Sequence, residues 1–159
     1  MRNTYFFYFL LFIIMGCFGC TQSNSQHISQ DKSYRSEEAI KKGDVVQTGI
    51  TVYNFERFEQ FLNNYHGKKP DKIRVTSYTV EGDPIFIDLD YDGENIKYFH
   101  DSSNDEYGSK EIVKDVCAMI IEEKKEQRKI DYSVSSCSKN NAYLVISIDQ
   151  NDFQYKQSK

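Results

Sequence analysis

The chain of 159 residues has no tryptophan, two prolines and only three histidines, so imidazole chemistry has few places to occur. Its eight glycines nowhere form a phosphate-cradling loop, and neither H-E-x-x-H nor G-x-S-x-G is present. No single charge sign dominates: 20 Lys+Arg stand against 24 Asp+Glu, a net charge of −4, without the clustered cations a phosphate-tracking surface needs. Nucleic acid is therefore not an expected partner. The longest uncharged apolar run, Tyr5 to Met15, has eleven residues and reaches 15 if extended to Gly19. A helix spanning hydrocarbon needs about 20. With 39% hydrophobic and 14% aromatic residues the chain is not compositionally disordered, and its length fits one domain.

That short apolar run follows Met1-Arg2-Asn3-Thr4, a brief basic start, and ends in small residues. The pattern predicts a secretory signal over residues 1–16. Its end, Ile14-Met15-Gly16-Cys17, matches a lipobox, in which the Cys thiol is alkylated by diacylglycerol before cleavage frees its amine. Cys17 is the expected lipidation site and Cys20 the poorer alternative. Two or three acyl chains make a stable anchor where one is marginal. The expected partner is thus the membrane, with the protein facing the outside of the cytoplasmic membrane, and its acidic body should add no attraction to anionic lipid. Residues 17–35 form a polar tether containing His27, too poor in apolar area to order itself.

From Ser36 the texture becomes that of a folded domain, expected over 36–150 with a frayed tail at 151–159. Ser36 reads as the cap of a short helix ending in Lys41-Lys42-Gly43. Val45-Val46 and Ile50–Val52 flank Gly49 as a short strand. Asn54 reads as the cap of a second helix, whose Phe55, Phe58, Phe61, Leu62 and Tyr65 recur at helical spacing. Lys72–Val80 is β-branched, and Ile85, Ile87, Leu89 and Tyr91 alternate with Phe86, Asp88 and Asp90. Asp92-Gly93 supplies a hairpin turn, and Ile96, Tyr98 and His100 continue one face of the return strand.

Residues 110–128 admit two readings. One is a helix after Ser109. The other is a buried strand from Val116 to Ile121, a turn near Glu126-Gln127-Arg128 and a return through Ile130–Cys137. In the hairpin reading, favoured by register, Cys117 and Cys137 face each other across the strands at a distance a disulfide spans. Tyr143–Ile148 is a last strand. The expected fold is α+β: an antiparallel sheet of about five or six strands with one or two helices packed on one face.

Candidates for chemistry are few. Asp88-Leu89-Asp90-Tyr91-Asp92-Gly93 opens like a calcium loop, but its twelfth position is Phe99 instead of Glu, and the flanks alternate as strands do. Asp88, Asp90 and Asp92 are weak metal candidates, and a solvated acidic sheet face is the better expectation. Neither His66 nor His100 sits in a nucleophile pattern, so no catalytic residue and no cofactor are assigned. With Cys17 lipidated and Cys117 paired to Cys137, Cys20 is left as a free thiol.

The string Ser36-Glu37-Glu38-Ala39-Ile40-Lys41-Lys42-Gly43-Asp44-Val45-Val46 resembles the start of a family of small bacterial lipoproteins classed only as a domain of unknown function. Lys69–Arg74, Thr76–Thr79, Glu81-Gly82-Asp83-Pro84-Ile85 and Leu89–Gly93 continue the resemblance, which covers about residues 34 to 137. It implies a Gram-positive, membrane-tethered surface protein with Cys117 and Cys137 as paired positions, and it carries no activity, catalytic residue or ligand. The expected function is a non-enzymatic, lipid-anchored binding or accessory module, monomeric, with a protein or cell-wall partner. The alternatives are an envelope hydrolase whose site assembles only in space and a calcium-dependent adhesion module.

Overall fold

The computed structural model describes residues 34–150. The expectations for 1–16, for Cys17, Cys20 and the tether up to residue 33, and for 151–159 lie outside the described residues. In chain order come α1 (Ser36–Lys42), β1 (Val45–Thr48), β2 (Thr51–Tyr53), α2 (Phe55–His66), β3 (Asp71–Tyr78), β4 (Pro84–Tyr91), β5 (Ile96–Asp101), β6 (Ile112–Lys124), a 3-10 turn at Glu126–Arg128, β7 (Lys129–Cys137) and β8 (Tyr143–Asp149). No described helix is long and apolar enough to cross a membrane.

The strands form one sheet in the order β2-β1-β3-β4-β5-β6-β7-β8. All neighbours are antiparallel except β1 and β3, which run parallel because β2 returns the chain to the end where β1 began and α2 then crosses over to start β3 on the other side of β1. The sheet curls until its two ends nearly meet. There the Gln47 amide on β1 donates to the Ser147 carbonyl on β8 at 2.7 Å, a side chain standing in for a missing strand-to-strand ladder.

The α+β class is as expected, but the sheet has eight strands, not five or six. The difference lies in the Val45–Tyr53 stretch, which is a hairpin of two strands turning at Gly49 (φ 58°), and in the Ile112–Lys124 stretch, which is one long strand. The helices also take opposite faces, not one. Phe55, Phe58 and Phe61 of α2 fill the inner face with Val45, Ile73, Val75, Leu89, Tyr98, Tyr132 and Ile146 in a single core. Phe58 meets Tyr132 edge-on at 5.1 Å, and Tyr65 meets Tyr91 at 5.1 Å. The chain entering α1 lies on the outer face instead. The Tyr34 ring rests on Phe86 at 5.5 Å and its carbonyl accepts from the Tyr78 hydroxyl at 3.0 Å.

Two cap expectations are corrected. Arg35, not Ser36, is the N-cap of α1, and no side chain caps it. Asn54 does precede α2, but with φ 55° its amide turns away from the helix and donates to the carbonyls of Ile40 and Asp44, tying α1 to β1. Gly43 ends α1 in the left-handed conformation (φ 89°), as a stop of this kind requires.

Between β6 and β7 the hairpin reading holds. Cys117 lies opposite Cys137, and the two form a disulfide with Cα atoms 3.8 Å apart. Cys117 is also the last β6 residue paired to β5, opposite Ile96. The disulfide therefore sits at the corner where β6 leaves one neighbour and continues with the other. At this corner the inward alternation slips by one: Asp115 and Cys117 are buried, then Ile120, while Ser136 opposite has φ 53°. The strand Val116–Ile121 is not uniformly buried, as the apolar run suggested. Val116 and Met119 are each 45% exposed on the outer face.

Candidate functional site

The outer face of β3–β6 is built from residues of alternating charge because the strands alternate. Paired positions give one row Arg74–Asp88–Phe99–Lys114 and a second row Lys72–Asp90–Lys97–Val116. The two rows border a depression of about 550 Å³ whose lining includes Asp88, Asp90, Lys97, Phe99, Lys114 and Val116.

Asp88 and Asp90 share one strand face, as the period of two demands. Each is answered by a cation from β3: Arg74 grips Asp88 through Nε at 2.6 Å and Nη2 at 2.7 Å, and Lys72 reaches Asp90 at 2.9 Å. Asp92 stands apart in the β4–β5 turn, where its Oδ1 accepts the backbone N–H groups of Glu94 and Asn95, and these bonds lower its pKa. The three carboxylates do not converge. Among the described residues no group of His, Cys, Asp and Glu is arranged to hold a metal ion.

Lys97 and Lys114 form no ion pair among the described residues. The Lys114 ammonium lies 5.2 Å from the centre of the Phe99 ring, and the Lys139 ammonium donates to the Lys114 carbonyl at 2.6 Å. The Arg74 guanidinium similarly lies 5.1 Å from the Phe86 ring centre.

Beside the depression is a buried polar cluster that the sequence did not reveal. Asp115 is 6% exposed. Its carboxylate accepts from the Ser138 hydroxyl at 2.5 Å, the Tyr143 hydroxyl at 2.9 Å and its neighbour's backbone N–H at 2.8 Å. Led by the Ser138 bond, these donors hold its pKa down at about 2. Tyr143 stacks on Tyr98 with ring centres 4.5 Å apart, and burial pushes the Tyr98 hydroxyl up to about 12. A carboxyl this acidic is a poor proton acceptor near neutrality. A second such cluster lies under α1, where the Tyr34 and Thr76 hydroxyls both donate to buried Asp44, at 2.8 and 2.7 Å.

The two histidines are not brought together. His66 is exposed at the end of α2, edge-on to Tyr65 at 5.5 Å. His100 is half-buried on the inner face between Ile87 and Val113. Tyr65, the neighbour of His66, packs on Tyr91, whereas His100 pairs with Ile87, four residues away along β4.

The fold and this face define a two-helix, eight-stranded, nearly closed α+β domain with a charged depression on its outside. The model of the family described as Domain of unknown function (DUF4362) matches residues 42–133, and the chain belongs to that family. The match begins at the end of α1 and stops inside β7, so it takes in the whole depression except the Ser138 side. No curated protein and no solved structure matches the chain.

Proposed function

We propose that this chain is an extracytoplasmic, lipid-anchored binding or accessory module and not an enzyme. The anchor half of the reading rests on Ile14-Met15-Gly16-Cys17 behind a short apolar run. The non-enzymatic half rests on how the domain spends its polar groups. Asp44 and Asp115 are saturated by hydroxyl donors, Asp88 and Asp90 are ion-paired, and His66 and His100 stand apart. The observation that carries most weight is the filled interior. The inner face, where small barrels hold ligands, is occupied by the aromatic stripe of α2, which leaves the outer face of β3–β6 as the shaped surface.

Cys17→Ser tests the anchor. Intact mass of detergent-extracted protein should show a diacylglycerol adduct on a chain starting at residue 17. The Ser variant should keep its leader, lack the adduct and keep a mobility distinct from the mature form. An unmodified wild-type chain that is equally well pelleted would overturn the reading. Envelope extracts in which neither the membrane-bound wild type nor an outer-face variant ever captures a ligand, while hydrolysis of wall material tracks His100, would move the assignment to the hydrolase.

A further inference from the structure

We infer that the outer face of β4–β6 is a lipid-facing surface that lays the barrel on its side against an anionic bilayer. The inference rests on the lipid-anchored reading, and it reverses the expectation drawn from net charge alone.

The overall charge of −4 is not spread evenly. Many of the carboxylates lie at the ends of the barrel: Glu81, Asp83, Asp105, Glu106 and Glu111 in the loops after β3 and β5, and Asp92 and Glu94 in the β4–β5 turn, with Glu37 and Glu38 on α1 and Glu122, Glu123, Glu126 and Asp131 around the β6–β7 hairpin. The outer flank between those ends carries Lys72, Arg74, Lys97, Lys114 and Lys139. Its own acids are each already gripped by a cation: Asp88 by Arg74, Asp90 by Lys72 and, at the far end of β6, Glu123 by Lys125. Lys97 and Lys114 are thus left as cations without an ion pair among the described residues.

Beside these lysines the same face is apolar. Val116 and Met119 are each 45% exposed, Ile112 57% and Ile121 40%, all on β6. Ile121 continues across Ser133 to Leu144 on β8, 53% exposed. Lysines beside exposed aliphatic side chains are the composition of an interfacial surface, in which methylenes and ammonium groups meet the headgroup region together.

The point where the chain enters adds an independent argument. Tyr34, the first described residue, lies on this same outer face against Phe86, two positions from Asp88 on β4. Only 16 residues separate Cys17 from Tyr34. An anchor at Cys17 would therefore bring this flank, before the far side of the barrel, towards the bilayer. Lying sideways also keeps both acidic ends off the negative surface.

The test uses the full lipid-modified chain taken from membranes and reconstituted in phosphatidylcholine vesicles with or without phosphatidylglycerol. A paramagnetic ion carried on a lipid headgroup broadens nearby methyl signals. Retention on the neutral vesicles reads the anchor alone, so its loss there sinks the anchored reading without deciding the face. The face is decided by the phosphatidylglycerol-dependent broadening. It should be several-fold greater at Val116, Met119 and Ile121 than at Val80 and Ile50. Each lysine at an anionic surface is worth about fivefold in partition. Lys97→Gln with Lys114→Gln should therefore cut the docked-to-undocked ratio about 25-fold while leaving methyl positions in the core unchanged. Equal broadening at all five methyls, or stronger broadening at Val80, overturns the inference. So does a chain whose Val116 and Met119 signals respond to polyglutamate but not to anionic vesicles, since that face would then be a docking site for acidic protein.

Discussion

Two phenylalanines on the same outer face, on neighbouring strands, have opposite fates. Phe86 on β4 is 8% exposed, covered by Tyr34 and flanked by Arg74, while Phe99 on β5 is only half-buried and lines the open depression. Sheet position does not explain the difference, because both point away from the core. The entering chain does: Tyr34 and α1 close the outer face over β1, β3 and β4, and nothing described closes it over β5 and β6. One half of the face is a second, smaller core and the other is a surface available to a partner.

The largest effect should come from testing that contrast directly. Phe86→Ala removes a fully enclosed ring and should cost about 3 kcal/mol, whereas Phe99→Ala should cost about 1 kcal/mol or less. Urea unfolding of both variants checks this. Equal losses would mean that the two halves are equally buried in solution and would remove the basis for a free surface on β5–β6.

The disulfide sharpens the same comparison, because it pins the corner from which the open half extends. The cross-link joins residues 20 apart, which in the chain-entropy picture is worth about 3 kcal/mol. Replacing both Cys117 and Cys137 by Ala should lower the melting temperature accordingly. Hydrogen exchange should accelerate in the Lys124–Lys129 hairpin and at β5–β6 while β1, β3 and β4 keep their protection. Uniform acceleration would show that the corner does not separate two regions.

What was legible in the sequence and what was not divide by range along the chain, not by half of the face, for physical reasons. The α2 stripe, the alternation along β4 and the Cys117–Cys137 pairing are local or fixed by a single turn, so periodicity and register arithmetic reach them. The parallel pairing of β1 with β3, the Gln47–Ser147 closure and the burial of Phe86 under Tyr34 depend on segments dozens of residues apart, where no short pattern records the partner. Val116–Ile121 misled because an apolar run reads as buried, whereas Val116 alternates outward between Asp115 and Cys117 and the slip at the disulfide corner then turns Met119 and Ile121 outward. The Asp115 cluster left a faint trace only: Ser138 directly follows Cys137, so it falls near Asp115 once Cys117 and Cys137 are paired.

The covering of the first half is itself held by a hydrogen bond that can be removed without disturbing the ring. Tyr34→Phe keeps the contact with Phe86 but deletes the donor to Asp44, which retains the Thr76 hydroxyl. A loss of about 1 kcal/mol is expected. In the same variant the exposure of Phe86 should stay low, which solvent paramagnetic broadening of its ring signals checks.

The smallest effect should be present at neutral pH and fade on the acid side, in the cluster that supports the open half from beneath. Asp115 is held at about 2, below its ordinary 3.8, so it binds a proton less readily folded than unfolded. Its stabilising contribution is complete above about pH 4 and disappears as pH falls towards 2. Tyr143→Phe keeps the stack on Tyr98 and removes one donor to the carboxylate, which should raise the Asp115 pKa towards its ordinary value. The variant should therefore melt slightly below the wild type at neutral pH, and the gap should narrow steadily between pH 4 and pH 2. A gap independent of pH would mean that the hydroxyl matters through packing alone. In that case the Ser138 bond would be what keeps Asp115 charged beneath Val116 and Lys114.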